Sequence, residues 1–164
     1  MKKLDIRVIL LQFLGITLLT NGILQLRYFS VAEKFLCAIN HFNDQTSECW
    51  KNSFPSKEDF FNFFPGIYIW IFIGLVIGIF IVSFLNWKNK LSALNTILVA
   101  LVMYILLKLK LFRRGIISRP FHPIRALFSD DFGTQCLIEG ATFTVLGLLI
   151  LYFSVNFKNN SIEN

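Results

Sequence analysis

Four long windows of the chain are nearly free of charged residues. They run over about residues 6–28, 65–86, 91–112 and 133–157. Each window holds at least the ~20 residues that a helix needs to cross about 30 Å of hydrocarbon. A soluble core helix could explain one such window, but four of them in 164 residues indicate a membrane protein. The sequence therefore predicts a single all-α integral membrane domain, in which four transmembrane helices form an antiparallel bundle.

The charged residues support this prediction and restrict the partners. Hydrophobic residues make up 55% of the chain and charged residues 16%, with a formal net charge of +6. The cations stand at the ends of the apolar windows, where they anchor to anionic headgroups rather than to nucleic acid. We therefore expect membrane lipids, anionic ones among them, as partners and no nucleic acid, with the bacterial inner (plasma) membrane as the location. A homo-oligomer and a larger membrane complex remain open alternatives.

Four spans place the connectors 29–64 and 113–132 on one side of the membrane and both termini on the other. In the first connector, Ser30 followed by Glu33 is a helix-capping pattern, and apolar residues at helical spacing follow it. This predicts a short amphipathic helix on the surface. Aromatic residues further along predict an interfacial aromatic belt, made of Trp50, Phe60, Phe61, Phe63, Phe64, Tyr68 and Trp70.

The three cysteines bear on which compartment the first connector faces. Cys37 and Cys49 share the first connector, and their spacing lets the chain fold back on itself. A disulfide between them is expected if this connector faces an oxidising compartment. Cys136, at the start of the fourth window, is then an odd thiol, and an ordinary buried cysteine is the simpler interpretation.

Small residues mark two packing faces. Gly74 and Gly78 form a G-x-x-x-G pair in the second window, which permits close approach of another helix. In the fourth window, a stripe of small side chains predicts a second packing face, made of Gly133, Cys136, Gly140, Thr144 and Gly147.

Cations and prolines characterise the second connector. Pro120 and Pro123 prevent a regular helix through its centre. Its cationic and ionisable side chains suit phosphate or carboxylate recognition. We predict an anion-binding cap formed by Arg113, Arg114, Arg119, His122 and Arg125.

Polar residues inside three of the windows lie at matching depths. At 1.5 Å per residue, Asn21, Tyr104 and Glu139 fall roughly 10–12 Å below the connector-side surface. Gln25, Lys108 and Gln135 lie about one turn closer to that surface. These residues predict a polar pocket in one leaflet, roofed by the two connectors. An ionised carboxylate at this depth is costly alone, so Glu139 is expected either to pair with a cation or to stay protonated beside an amide. A purely structural ion pair and a headgroup anchor are the competing interpretations.

The distribution of Lys and Arg gives conflicting signals for the orientation of the protein in the membrane. Ten Lys and Arg residues fall on the connector side and six on the terminal side, which favours connectors in the cytoplasm. The basic start of the first window and the Lys-rich turn at residues 87–90 favour termini in the cytoplasm instead. We expect the termini inside.

Familiar catalytic motifs are missing from the sequence. It contains no C-x-x-C, H-E-x-x-H, Gly-rich phosphate loop or G-x-S-x-G, and no P-S-G-H element of lipid-phosphate phosphatases accompanies Arg119 and His122. We predict no cofactor and no metal site. Three function classes follow: a non-catalytic binding or accessory subunit with a pocket for an anionic headgroup or partner, an enzyme acting on a lipid-linked phosphate substrate, and a small oligomeric channel or transporter. The first is our expectation.

Overall fold

The computed structural model describes residues 5–121, 123–124 and 127–156. Helices account for most of these residues, which include no β-strand. In chain order the α-helices are α1 (Ile6–Ser30), α2 (Ala32–Asn40), α3 (Glu48–Ser53), α4 (Lys57–Lys88), α5 (Ala93–Lys108) and α6 (Phe132–Asn156), with a short 3-10 turn at Arg119–Phe121 before α6. The all-helical prediction is confirmed for the described part of the chain.

Three of these helices have the length and composition of membrane spans, namely α1, α4 and α6. Helix α5 is also apolar but has only 16 residues, which gives it about 24 Å of length. It ends at Lys108, although the sequence predicts a span as far as residue 112. The reason is a left-handed residue, Lys110, with φ of 57°. This conformation lets the Leu111 N–H donate to the Leu106 carbonyl at 3.3 Å, a Schellman-type helix end.

Side-chain caps fix where the helices begin. Helix α4 starts at Lys57, well before the predicted residue 65, because Ser56 and Asp59 form a reciprocal capping box. Pro65 lies inside that helix. At the start of α6, the Asp131 carboxylate accepts the Thr134 N–H at 2.6 Å. These side chains accept hydrogen bonds from backbone N–H groups in the first turn, which have no acceptor within the helix.

Helix α1 is the centre of the structure. It packs against α4, α5 and α6, and it is the most buried of the three long apolar helices. Towards α6 the contact is backbone to backbone: a Cβ added at Gly22 would lie 2.6 Å from the Thr144 nitrogen. Towards α4, a Cβ added at Gly74 would lie 3.0 Å from the Thr20 Cα. Both predicted packing faces therefore meet α1.

The glycine contacts also fix the direction of the helices. Gly15 meets Gly147 and Gly22 meets Gly140, so the residue numbers rise along α1 as they fall along α6. The two glycines are seven residues apart in each helix, which is two helical turns. Helices α1 and α6 are therefore antiparallel and in close contact over at least two turns.

The first connector folds into a compact aromatic cluster at one end of the helices. A disulfide joins Cys37 of α2 to Cys49 of α3, with Cα atoms 6.1 Å apart. Trp50 and Phe54 are buried beside it, and the Lys34 ammonium lies 4.9 Å from the centre of the Phe54 ring. We call this set the aromatic cluster; its other members are Phe60, Phe63 and Phe64. The aromatic residues of this connector therefore pack chiefly on one another.

Candidate functional site

The segment that runs from the end of α5 through the 3-10 turn folds back against the helices. We call residues 109–121 the inserted segment. Gly115 has φ of 63°, a conformation that costs glycine little, and the chain turns there. Phe112 and Ser118 are buried, and the Phe121 ring lies 4.5 Å from that of Phe143. Phe143 stands three helical turns into α6, about 16 Å from its first residue. The inserted segment thus reaches well down the length of α6.

Ser118 connects this segment to two amides of α1. The Gln25 side-chain N–H donates to the Ser118 hydroxyl at 2.8 Å, and that hydroxyl donates to the Asn21 carbonyl oxygen at 3.2 Å. Asn21 is 1% exposed and Gln25 is 5% exposed. We call these three residues the polar triad. A buried hydrogen-bonded chain of this kind fixes the position of the inserted segment against α1, because breaking it leaves buried polar groups unsatisfied.

A cavity of about 290 Å³ opens above the polar triad, and we call it the basic pocket. Its polar lining comprises Gln25, Arg113, Arg114, Ser118 and Arg119. Its other walls are Leu24, Phe35, Phe112 and Phe132, together with Tyr28, which carries a hydroxyl. Among the described lining residues there are three arginines and no acid, so the pocket carries positive charge. Guanidinium groups recognise phosphate and carboxylate oxygens through paired N–H donors.

One of these arginines makes a cation–π contact with α4. The Arg113 guanidinium lies 4.3 Å from the centre of the Tyr68 ring. A guanidinium carries five N–H donors, and the contact places it at the boundary between α4 and the basic pocket.

The predicted polar pocket is only partly assembled. Asn21 and Gln25 belong to the polar triad. Tyr104 is 60% exposed, and the Lys108 ammonium lies 5.5 Å from the Tyr104 ring, on the outer surface of α5. Matching depth along the helices therefore did not bring Tyr104 and Lys108 to the same site, because depth does not specify which face of α5 turns inward.

The predicted residues of α6 lie nearer the inserted segment. Glu139 is 4% exposed and stands one turn before Phe143, on the face that meets the 3-10 turn. The Gln135 side-chain N–H donates to the Ser129 carbonyl at 2.7 Å, which ties the start of α6 to the preceding loop. Of the predicted anion-binding cap, Arg113, Arg114 and Arg119 line the basic pocket. His122 and Arg125 lie outside the described residues.

Sequence reasoning missed Ser118 as a site residue and missed a second buried polar cluster at the other end of the helices. There Gln12 and Asn86 exchange amide hydrogen bonds at 2.6 and 3.2 Å, and Asn86 also donates to Thr96 at 2.9 Å. The signal for this cluster was Gln12, a lone amide in an apolar run, since a polar residue inside a span turns inward. Ser118 gave no such signal because irregular connectors have no periodicity.

No protein-family model matches the chain, and neither a curated protein nor a solved structure matches it. The class of this protein is therefore defined by its own structure. In its described part it is a helical protein with three long apolar helices suited to a membrane, an aromatic cluster, and a basic pocket over a buried polar triad.

Proposed function

We propose that this chain is a four-span membrane protein, a non-catalytic binding or accessory subunit whose basic pocket holds the phosphate of an anionic headgroup. The observation that carries the proposal is the basic pocket itself. It combines three arginines with the buried Gln25 and Ser118 in one cavity. Such a cavity offers a phosphate both charge and directed N–H donors, whereas a simple surface anchor needs only the charge.

The exterior of the helices supports the membrane part of the proposal. Helix α5, the shortest of the four, exposes large apolar side chains along its length; they include Leu94, Ile97, Leu98, Leu101 and Ile105. A water-exposed surface of this kind would be an association liability, but lipid covers it at no cost. In this proposal α5 completes the bundle as the fourth span, and the inserted segment fills the length that α5 lacks.

The irregular backbone of the inserted segment fits the same arrangement. Non-helical backbone is tolerated at membrane depth where protein covers it or where it lines a polar cavity. Parts of the inserted segment meet these conditions, since protein buries Phe112 and Ser118 and residues 112–115 with Ser118 and Arg119 line the basic pocket.

The disulfide supports an orientation. Disulfides persist in oxidising compartments, so the joined Cys37 and Cys49 favour placing the connector end on the outer face. In a bacterial inner membrane that face is the periplasmic one. The basic pocket then serves headgroups of the outer leaflet.

The test is the lipid content of the purified protein. Native mass spectrometry of the detergent-extracted wild type should detect bound anionic phospholipid. Replacing Arg113→Gln and Arg119→Gln together should weaken lipid affinity at least about tenfold and so lower lipid occupancy, because hydrogen bonds to charged groups each contribute about 1.5–3 kcal/mol.

The control removes the same charge elsewhere. Arg7 and Lys88 are exposed at the other end of the helices, so Arg7→Gln with Lys88→Gln should keep wild-type occupancy. Equal loss in both double variants would mean that only net charge matters, and the proposed pocket would be refuted.

A further inference from the structure

A second cavity, of about 180 Å³, adjoins the basic pocket on the outer side of the helices. It lies between α4 and α5, and we call it the apolar groove. Ile71 and Phe72 of α4 and Leu107 of α5 line it. Ile71 is buried, whereas Phe72 is 61% exposed and Leu107 is 36% exposed. The groove therefore has a closed floor and an open outer edge on the apolar surface of the protein.

Two residues are common to both cavities. Phe112 and Arg113 line the apolar groove and the basic pocket alike. Phe112 is 3% exposed and separates the two spaces, while Arg113 is held over Tyr68 at the boundary. A ligand that occupies both cavities would therefore contact Phe112 and Arg113.

The size and lining of the groove restrict what it accepts. Cavities that hold a whole small molecule usually measure about 300–1,000 Å³, so the groove alone is too small for one. Its lining is apolar apart from Tyr68 and the cations Lys110 and Arg113. A hydrocarbon chain packs well against such a lining. The two cations favour an anionic group at the end of the groove where they lie.

We infer that the ligand of the basic pocket is an acyl phospholipid, with its phosphate at the arginines and the start of one acyl chain in the apolar groove. This inference rests on the proposed function and adds the chain to the headgroup. A single molecule can fill both cavities only if it carries a phosphate joined to a hydrocarbon chain. Arg113 lies at the point where the phosphate and the chain would be joined. A free phosphate or a water-soluble phosphate ester leaves the groove without a ligand.

The experiment compares ligands that differ only in the length of the acyl chain. Native mass spectrometry measures binding of lysophosphatidic acids with short, medium and long saturated chains, and of glycerol 3-phosphate as the chain-free probe. In the wild type we expect affinity to rise with each methylene that enters the groove, by at most about fourfold because the detergent micelle also solvates the chain, and then to level off once the groove is full.

The variant Leu107→Trp fills the groove without touching the arginines. It should bind glycerol 3-phosphate like the wild type but lose the dependence on chain length. Leu101 lies on the same helix and is exposed outside the groove, so Leu101→Trp should behave as the wild type. An unchanged thermal midpoint without ligand shows that both variants are folded.

Each other result has a separate meaning. If Leu107→Trp keeps the full chain-length dependence, the groove does not hold the chain and this inference is overturned, while the basic pocket stands. If glycerol 3-phosphate binds the wild type as tightly as any lysophosphatidic acid, the site serves free phosphate esters and the inference is again overturned. If neither probe binds the wild type, the proposed function has failed.

Discussion

At the scale of single residues, Gly22 controls how closely α1 and α6 approach. A Cβ at this position would lie 2.6 Å from the Thr144 nitrogen and 2.9 Å from the Gly140 carbonyl oxygen. Both are backbone atoms of α6, so no side chain can turn away to make room. Only a shift of the helix would relieve the contact, and that shift would also disturb the neighbouring glycine contacts.

We therefore expect Gly22→Ala to destabilise the protein by about 1–3 kcal/mol, the usual cost of overpacking a close contact. The measurement is unfolding in mixed micelles, followed by circular dichroism. Gly66 provides the matched control, because a Cβ there meets nothing within 4 Å. Gly66→Ala should leave the stability unchanged or raise it by about 0.5–1 kcal/mol, since alanine favours helix. Equal effects of the two changes would contradict backbone contact between α1 and α6.

At the scale of the elements, the start of α6 depends on one carboxylate. Asp131 accepts the Thr134 backbone N–H at 2.6 Å, and that hydrogen bond, together with the one from the Thr134 side chain, lowers the pKa of Asp131 below its ordinary value. The ionised form is therefore the one that caps the helix. The stabilisation is fully present above the unfolded pKa of about 3.9 and is lost as the pH falls through the lower folded-state pKa.

This predicts a specific change in acid behaviour. Asp131→Ala should lower the thermal midpoint at neutral pH, and it should lose less further stability than the wild type as the pH falls below about 4. Thermal unfolding of both proteins over a pH series measures the difference. Asp130→Ala removes the same charge from the adjacent exposed residue and should keep the wild-type pH dependence. Parallel curves for wild type and Asp131→Ala would show that the carboxylate does not cap α6.

Most helix positions could be predicted from apolar windows and capping patterns, since those signals are local. The end of α5 could not, because residues 109–112 still contain Leu109, Leu111 and Phe112 and include neither glycine nor proline. A left-handed Lys110 ends the helix there, and a lysine carries no signal for that conformation.

At the scale of the whole molecule, the candidate site depends on which helix faces meet. Asn21 and Gln25 could be placed in a buried polar group from their spacing, because one α1 face carries both. Their partner Ser118 comes from a connector with no periodic pattern, and its contact bridges 93 residues of sequence to Gln25. Tyr104, which the sequence predicts at the depth of Asn21, is exposed. Residue position along a helix predicts a depth, whereas the face of α5 that turns inward needed the packed structure.

The orientation of the whole molecule gives the last prediction. The disulfide between Cys37 and Cys49 and the proposed outer-leaflet site both require the connector end to face outside. In intact cells that express a Cys136→Ser variant, a membrane-impermeant reductant followed by an impermeant maleimide should label Cys49, which is exposed, whereas the buried Cys37 should react less. Without the reductant there should be no label, because disulfide sulfurs do not react with maleimide.

A cysteine at the opposite end supplies the control. Asn89 lies in the turn between α4 and α5. Asn89→Cys, in a chain without the three native cysteines, should react with the impermeant maleimide only after the cells are opened. The reverse pattern, with position 89 labelled in intact cells and the connector cysteines protected, would place the basic pocket at the cytoplasmic leaflet. It would also agree with the larger number of cations on the connector side, and the joined cysteines would then have to survive in a reducing compartment.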